Sequence, residues 1–205
     1  MKIKLALMAL LFGCFSCSSA QQQQPDFSFK DYKAVPATLA TRQDSSIAFV
    51  NYILDDKYEE AEIIYPEMFK IDVSAFMNRG PGYEPYLGDV GEFVLDYKTS
   101  HDIMSLTVFL ENKYNAHNNV YDMGLRASLR KDSTNVAAML LLAKLRYENG
   151  IADDAYFIVQ QMMKQEPENE KVRELHTWFQ DNHEPIGSNL PSFDAFIKEE
   201  VYYRE

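Results

Sequence analysis

Cysteine is nearly missing from this chain, and the two that exist, Cys14 and Cys17, both lie in the first twenty residues. Beyond them there is no side chain for a disulfide, a thiolate-bound metal or a nucleophilic thiol. Positive charge is also scarce, with 20 Lys and Arg against 31 Asp and Glu for a net charge of −11. Setting aside residues 1–20 removes Lys2 and Lys4 and no acid, which leaves 18 basic against 31 acidic residues, or −13. Such a surface argues against nucleic acid and against an anionic membrane surface as partners. Motifs of catalysis are missing as well. There is no Gly-rich phosphate loop, no Gly-x-Ser-x-Gly and no His-Glu-x-x-His.

The remaining polar groups suggest no chemistry either. His101-Asp102 with Ser105 has the residue types of a hydrolase, but neighbours in sequence point to different sides of a helix, so capping and solvation are the reading. His176 and His183, with Glu174 and Glu184 nearby, would share a face only if one helix ran unbroken through Asp181-Asn182. The acidic pairs Asp55-Asp56, Glu59-Glu60 and Glu199-Glu200 lack the alternation and Gly of a calcium loop. The expectation is a non-enzyme without catalytic residues, cofactor or metal.

What the chain does have is helical periodicity, clearest between Asn135 and Asn169. Val136 to Tyr147 is apolar on nearly every side, the pattern of a helix buried among neighbours. Ala155, Ile158, Val159, Met162 and Met163 follow at the spacing of one amphipathic face. Gly150 separates the two, because it alone enters the left-handed conformation without a steric penalty, and Pro167 ends the second. Small residues at Ala143 and Ala155 let two antiparallel helices approach. Asn135 and Asn169 each precede a helix start, where Asn caps well.

This stretch resembles a tetratricopeptide (TPR) repeat, a helix–turn–helix unit of about 34 residues. Residues 102–135 resemble a degenerate copy, with Tyr121 where Ala155 predicts a small side chain. A first copy is suggested over 44–69 by Tyr58, Ala61 and Tyr65, although Pro66 breaks its second helix. The resemblance implies an all-α fold of helical hairpins stacked as a short solenoid over residues 44–205. It would carry a Gly/Pro-rich insertion at 79–91 and a capping helix over Glu170–Asp181. A last apolar stripe, Phe193, Phe196, Ile197 and Val201, reads as a terminal helix packed on the domain. The resemblance also implies a peptide groove lined by first helices, at Leu106, Lys113 and Tyr114 and at Leu140, Lys144, Tyr147 and Glu148. Within it, Lys113, Tyr114, Lys144 and Tyr147 would form a basic and aromatic strip on an acidic protein.

The ends of the chain indicate where this happens. Residues 1–20 read as an export signal, two lysines followed by an apolar run from Leu5 to Phe12, too short to span a bilayer. Leu11-Phe12-Gly13-Cys14 resembles a bacterial lipobox, Cys17 is a second candidate for lipidation, and Ser18-Ser19-Ala20 fits ordinary cleavage. All three place the protein in the bacterial cell envelope, facing the periplasm, and lipidation would anchor it to the outer membrane. That anchor is the only membrane contact expected. Residues 21–43 read as a flexible linker, with docking of Phe27, Phe29 and Tyr32 as the alternative. The function expected is a protein-interaction scaffold whose partner is another envelope protein or peptide. A second reading, a glycan- or peptide-binding lipoprotein, rests on thirteen tyrosines, the loop residues Tyr83 and Tyr86, and Trp178.

Overall fold

Helix ends are where the signals in the sequence become hydrogen bonds. The computed structural model describes residues 24–30, 32, 41–70, 99–115, 118–184, 186–187, 190–199 and 203. Its helices are α1 (Thr41–Leu54), α2 (Tyr58–Ile64), α3 (Ser100–Tyr114), α4 (Asn118–Lys131), α5 (Val136–Glu148), α6 (Ala152–Gln165), α7 (Glu170–Asn182) and the single turn α8 (Phe193–Phe196). A short 3-10 helix, Met68–Lys70, follows α2. Among the described residues there is no strand, so the fold is all-α. None of these helices is long and apolar enough to cross a membrane.

Both asparagines cap as their positions require. The Asn135 side chain accepts from the Ala138 amide at 3.1 Å, and that of Asn169 accepts from Lys171 at 3.1 Å. Each such cap contributes about 1 kcal/mol. Thr99 and Asp102 form a capping box at the start of α3. After α5, Gly150 takes a φ of 78°. Its amide donates to the Tyr147 carbonyl at 3.0 Å and that of Ile151 to Arg146 at 2.9 Å, the two bonds that close a helix in a Schellman turn.

The helices pack in chain order. Helix α1 lies against α2 and α3, α3 against α4, α4 against α5, α5 against α6, and α6 against α7. Helices α4 (118–131) and α6 (152–165) start and end 34 residues apart, with Asn135 and Asn169 capping the helix that follows each. Helix α5 buries every residue from Val136 to Ala143. On α6, which packs against it, Ala155, Ile158, Val159 and Met162 are buried, as are Val172, Leu175 and Phe179 on α7. Each large apolar side chain buried in this way contributes about 1.5–3 kcal/mol.

Several expectations need correction. Helix α1 begins at Thr41, before the expected cap at Asp44-Ser45-Ser46, and the buried Ser46 hydroxyl, inside the helix, is bonded to the Tyr65 hydroxyl at 2.8 Å. The close approach of α3 and α4 is made by Gly124, one turn beyond the position of Tyr121. A β-carbon there would stand 2.3 Å from Thr107 Oγ1, so only glycine fits. Part of the expected flexible linker is docked, since Phe27, Phe29 and Tyr32 are all buried in the core. The Gly/Pro-rich stretch 79–91 with Tyr83 and Tyr86, and the signal with Cys14 and Cys17, lie outside the described residues.

Candidate partner-binding groove

Leu106 and Leu140, expected to line a groove, are core residues at 1% and 0% exposure. The nearly continuous apolar run of α5 leaves only its last turns to meet anything outside the core. The remaining groove candidates fall into two clusters. Lys113, at the end of α3, lies over the rings of Phe69 (4.6 Å), Phe109 (5.0 Å) and Tyr114 (5.5 Å), and Tyr114 meets Phe109 edge-on. Lys144 pairs with Glu148 one turn along α5 at 3.8 Å, an exposed contact of little energetic consequence. Tyr147 packs against Phe27, Trp178 and Phe179 at 5.5–5.9 Å between ring centres. Between the clusters stands Glu111. Burial pushes its carboxyl up, while the charge of Lys144 and a hydrogen bond from Asn112 pull it back down.

The second cluster is occupied by the chain's own N-terminal segment. Residues 24–30 have no helix or strand, and side chains hold them in place. Asp26 pairs with Lys171 of α7, whose side chain is only 4% exposed. This pairing, with a further bond from the Ser28 amide, holds the Asp26 carboxyl below its ordinary range. Phe27 sits between Tyr147 of α5 and Phe179 of α7. The Tyr32 hydroxyl donates to Glu166 at 3.0 Å, and burial beside that carboxylate pushes the phenol up. An open cleft of about 480 Å³ remains along this strap, lined by Gln24 to Ser28 on one side and by Lys144, Tyr147 and Glu148 on the other. Sequence reasoning missed Lys171, which reads as one more charged residue on a polar helix face. Its partner is 145 residues away.

A second gathering of charge lies under the C-terminal segment. Arg146 of α5, 1% exposed, bonds to Asp122 of α4 at 2.6 Å and Asp154 of α6 at 3.1 Å. Asp122 also binds Arg126 and accepts from the Tyr203 hydroxyl at 2.8 Å. Phe196 and Tyr203 lie against the Arg146 guanidinium. Burial raises the Asp154 carboxyl, with Arg146 opposing it. A smaller cleft, about 180 Å³, opens beside Arg146, Asp154 and Glu199. These groups point at one another and fix Phe196 and Tyr203 to the helices.

The residues examined for chemistry are spread over local roles. Asp102 bonds to Thr99 and accepts from Tyr65 at 3.0 Å, while His101 Nδ1 and Ser105 Oγ are buried without a hydrogen-bond partner. Helix α7 stops at Asn182, so His183 leaves the helix face of His176 and approaches Asp153 at 3.3 Å. Among the described residues no three His, Cys, Asp or Glu side chains gather as a metal site. Trp178 is half-buried against Tyr147 and Phe179 and lines neither cleft. No family model, no curated protein and no solved structure matches the chain.

Proposed function

We propose that this chain is a non-enzymatic scaffold of the bacterial cell envelope, built of TPR-like hairpins stacked as a short solenoid, that holds an extended segment of a partner protein. The observation that carries the reading is the strap itself, a stretch without helix or strand seated across α5 and α7 through an ion pair and an aromatic ring. In the TPR reading these are the first helices of successive units, the face on which such proteins receive peptides. The 34-residue step between α4 and α6, and the repeated Asn caps after them, support the same reading.

The test is an affinity pull-down from solubilised envelope. A specific partner is expected, retained by the wild type and lost on replacing Lys144 with Glu and Tyr147 with Ala together. Equal retention by that double variant would remove this face as the binding surface. Export with lipidation at Cys14 or Cys17 belongs to the same proposal, and intact-mass measurement checks it. A mature chain that begins at Gln21 without added lipid mass would replace the anchored form with a soluble periplasmic one.

A further inference from the structure

A lysine side chain at 4% exposure needs a negative partner, because a buried charge left alone costs several kcal/mol. Lys171 finds that partner in Asp26, on a segment with no secondary structure of its own. The Asp26 side chain is itself 67% exposed, so it reaches in from outside and is not part of the packed interior. The next residue, Phe27, closes the aromatic cluster of Tyr147 and Phe179, centroid distances 5.5 and 6.2 Å. An acid followed at once by an aromatic ring is therefore what this surface recognises. Gly or Ser could not replace either group, since one neutralises Lys171 and the other packs on the rings of Tyr147 and Phe179.

The backbone gives this segment little hold. Among the described residues its backbone bonds are internal, Ser28 donating to Asp26 and the Tyr32 amide to Phe29 at 3.1 Å, while the Asp26–Lys171 and Tyr32–Glu166 ties to the helices run through side chains. Its flank is also incompletely filled, because the cleft of about 480 Å³ runs between it and Lys144, Tyr147 and Glu148. A segment held by side chains beside an open cleft is displaceable in a way that a core helix is not.

We propose that residues 24–30 with Tyr32 are a tethered occupant of a peptide site, and that the site accepts from a partner an extended segment in which an acidic residue is immediately followed by an aromatic one. This rests on the scaffold reading above and names the chemistry of the partner. Because the occupant belongs to the same chain, its effective concentration is on the order of millimolar, and a partner must exceed it or be tethered in its turn. The strap thereby sets a threshold for binding.

The test uses the full chain and a fluorescently labelled synthetic peptide with the sequence of residues 25–32, Pro-Asp-Phe-Ser-Phe-Lys-Asp-Tyr. Replacing Asp26 and Phe27 with Ala together should free the site. The expected result is binding at least about tenfold tighter than to wild type, by the effective-concentration argument. Adding Lys171→Met to that variant should remove the gain, and a peptide carrying Ala for its first Asp and first Phe should not bind. Trp178, the single tryptophan of the chain, lies against Tyr147 and Phe179 and reports occupancy through its emission. Affinity no tighter than wild type, or equal binding of the Ala-substituted peptide, would overturn the proposal.

Hydrogen exchange on the wild type gives a reading independent of any variant. The amides of 24–32 should exchange faster than those of α5 and α7, and millimolar unlabelled peptide should accelerate the strap alone. Protection of the strap equal to that of α7 would show that it does not open independently of the helices, as would unfolding of the Asp26/Phe27 variant, and either would overturn displacement. The two levels of the argument separate cleanly. An envelope partner retained equally by wild type and Lys171→Met leaves the scaffold in place and removes this site. Absence of any retained partner removes the scaffold, while the peptide titration still decides what the site binds.

Discussion

The turn from α1 to α2 and the turn from α5 to α6 are closed by the same pair of hydrogen bonds. In the first, the Asp56 amide donates to Ile53 at 3.1 Å and that of Lys57 to Tyr52 at 2.8 Å. In the second, Gly150 donates to Tyr147 at 3.0 Å and Ile151 to Arg146 at 2.9 Å. Both pivots are left-handed, with φ of 57° at Asp56 and 78° at Gly150. Five residues past each pivot comes a fully buried alanine, Ala61 or Ala155, which lets the returning helix lie close. The backbones match, yet the hairpins diverge on either side of the turn. Tyr52 is half-buried where Arg146 is enclosed by two carboxylates, and α2 ends at Ile64 where α6 runs on to Gln165. Local geometry thus repeats while the surroundings do not, and substitutions at matched positions measure how far the repetition extends into energetics.

The largest difference is expected at the matched pair Tyr52 and Arg146. Arg146→Met leaves Asp122 buried with one charge partner fewer, and should destabilise the protein by about 3–5 kcal/mol. Tyr52→Phe removes no such partner and should cost less than about 1 kcal/mol. Urea unfolding of both variants checks this. Comparable losses would mean that the buried cluster is balanced by something other than ion pairing.

The matched alanines come next. Ala61→Leu and Ala155→Leu each force a larger side chain into a contact with no free space, at a cost of roughly 1–3 kcal/mol. Ala143, fully buried on α5, should respond as Ala155 does. Similar shifts in melting temperature would extend the likeness of the hairpins from backbone to packing. A tolerated Ala61→Leu would confine it to the turn.

At the pivots the effects are smaller and opposite in sign. Nothing lies within 4 Å of a β-carbon built on Gly150, so Gly150→Ala meets only the conformational penalty, roughly 1 kcal/mol of destabilisation. Asp56 already bears that penalty, offset in part by a bond from the Tyr58 hydroxyl at 3.3 Å. Asp56→Gly should therefore stabilise by about 0.5 kcal/mol. Loss of stability there would show that the aspartate side chain holds the turn more than its backbone strains it.

The same hairpins show what the sequence makes legible. Gly150, Asn135 and Asn169 act within a few residues of themselves, so their roles follow from local steric and capping rules. Ala155 was readable because the buried stripe of α6 is local too. Gly124 is harder to read, though a glycine within a helical pattern signals a close approach, because the repeat pattern points to Tyr121 instead. The groove was harder. Arg146 looks like one charge on an apolar helix until Asp122, Asp154 and Tyr203 converge on it. The docking of residues 24–30 and Tyr32 has no periodicity behind it and depends on Lys171 and Glu166, far along the chain. Contacts of that kind are set by tertiary closure, and no window of sequence contains both halves.

The smallest effect concerns the end of α2, where the two hairpins part. Pro66 keeps the preceding residue out of the helical region, and Tyr65 accordingly has φ of −132° and ψ of 68°. Pro66→Ala lifts that restriction and restores an amide, so proline alone would predict that α2 grows toward the length of α6. The Tyr65 side chain argues otherwise. Its hydroxyl is bonded to Ser46 of α1 and to Asp102 of α3, and its ring packs edge-on against Phe49 at 5.0 Å. Extending the helix would swing that ring away and leave Asp102, at 0% exposure, short of a donor. Loss of proline also frees the unfolded chain, worth about 0.4–1 kcal/mol against the variant. The expectation is a small net destabilisation, under about 1 kcal/mol, with helix content by circular dichroism unchanged. A gain in helix content would mean that Pro66 by itself ends α2 and that the hairpins differ there by one residue. Unchanged content would assign the stop to the Ser46–Tyr65–Asp102 bridge, which spans three elements of the fold, whereas at the end of α6, where the Glu166 amide closes onto Met162 at 2.8 Å, the cap residue's carboxylate is bonded to Tyr32 and Asn169.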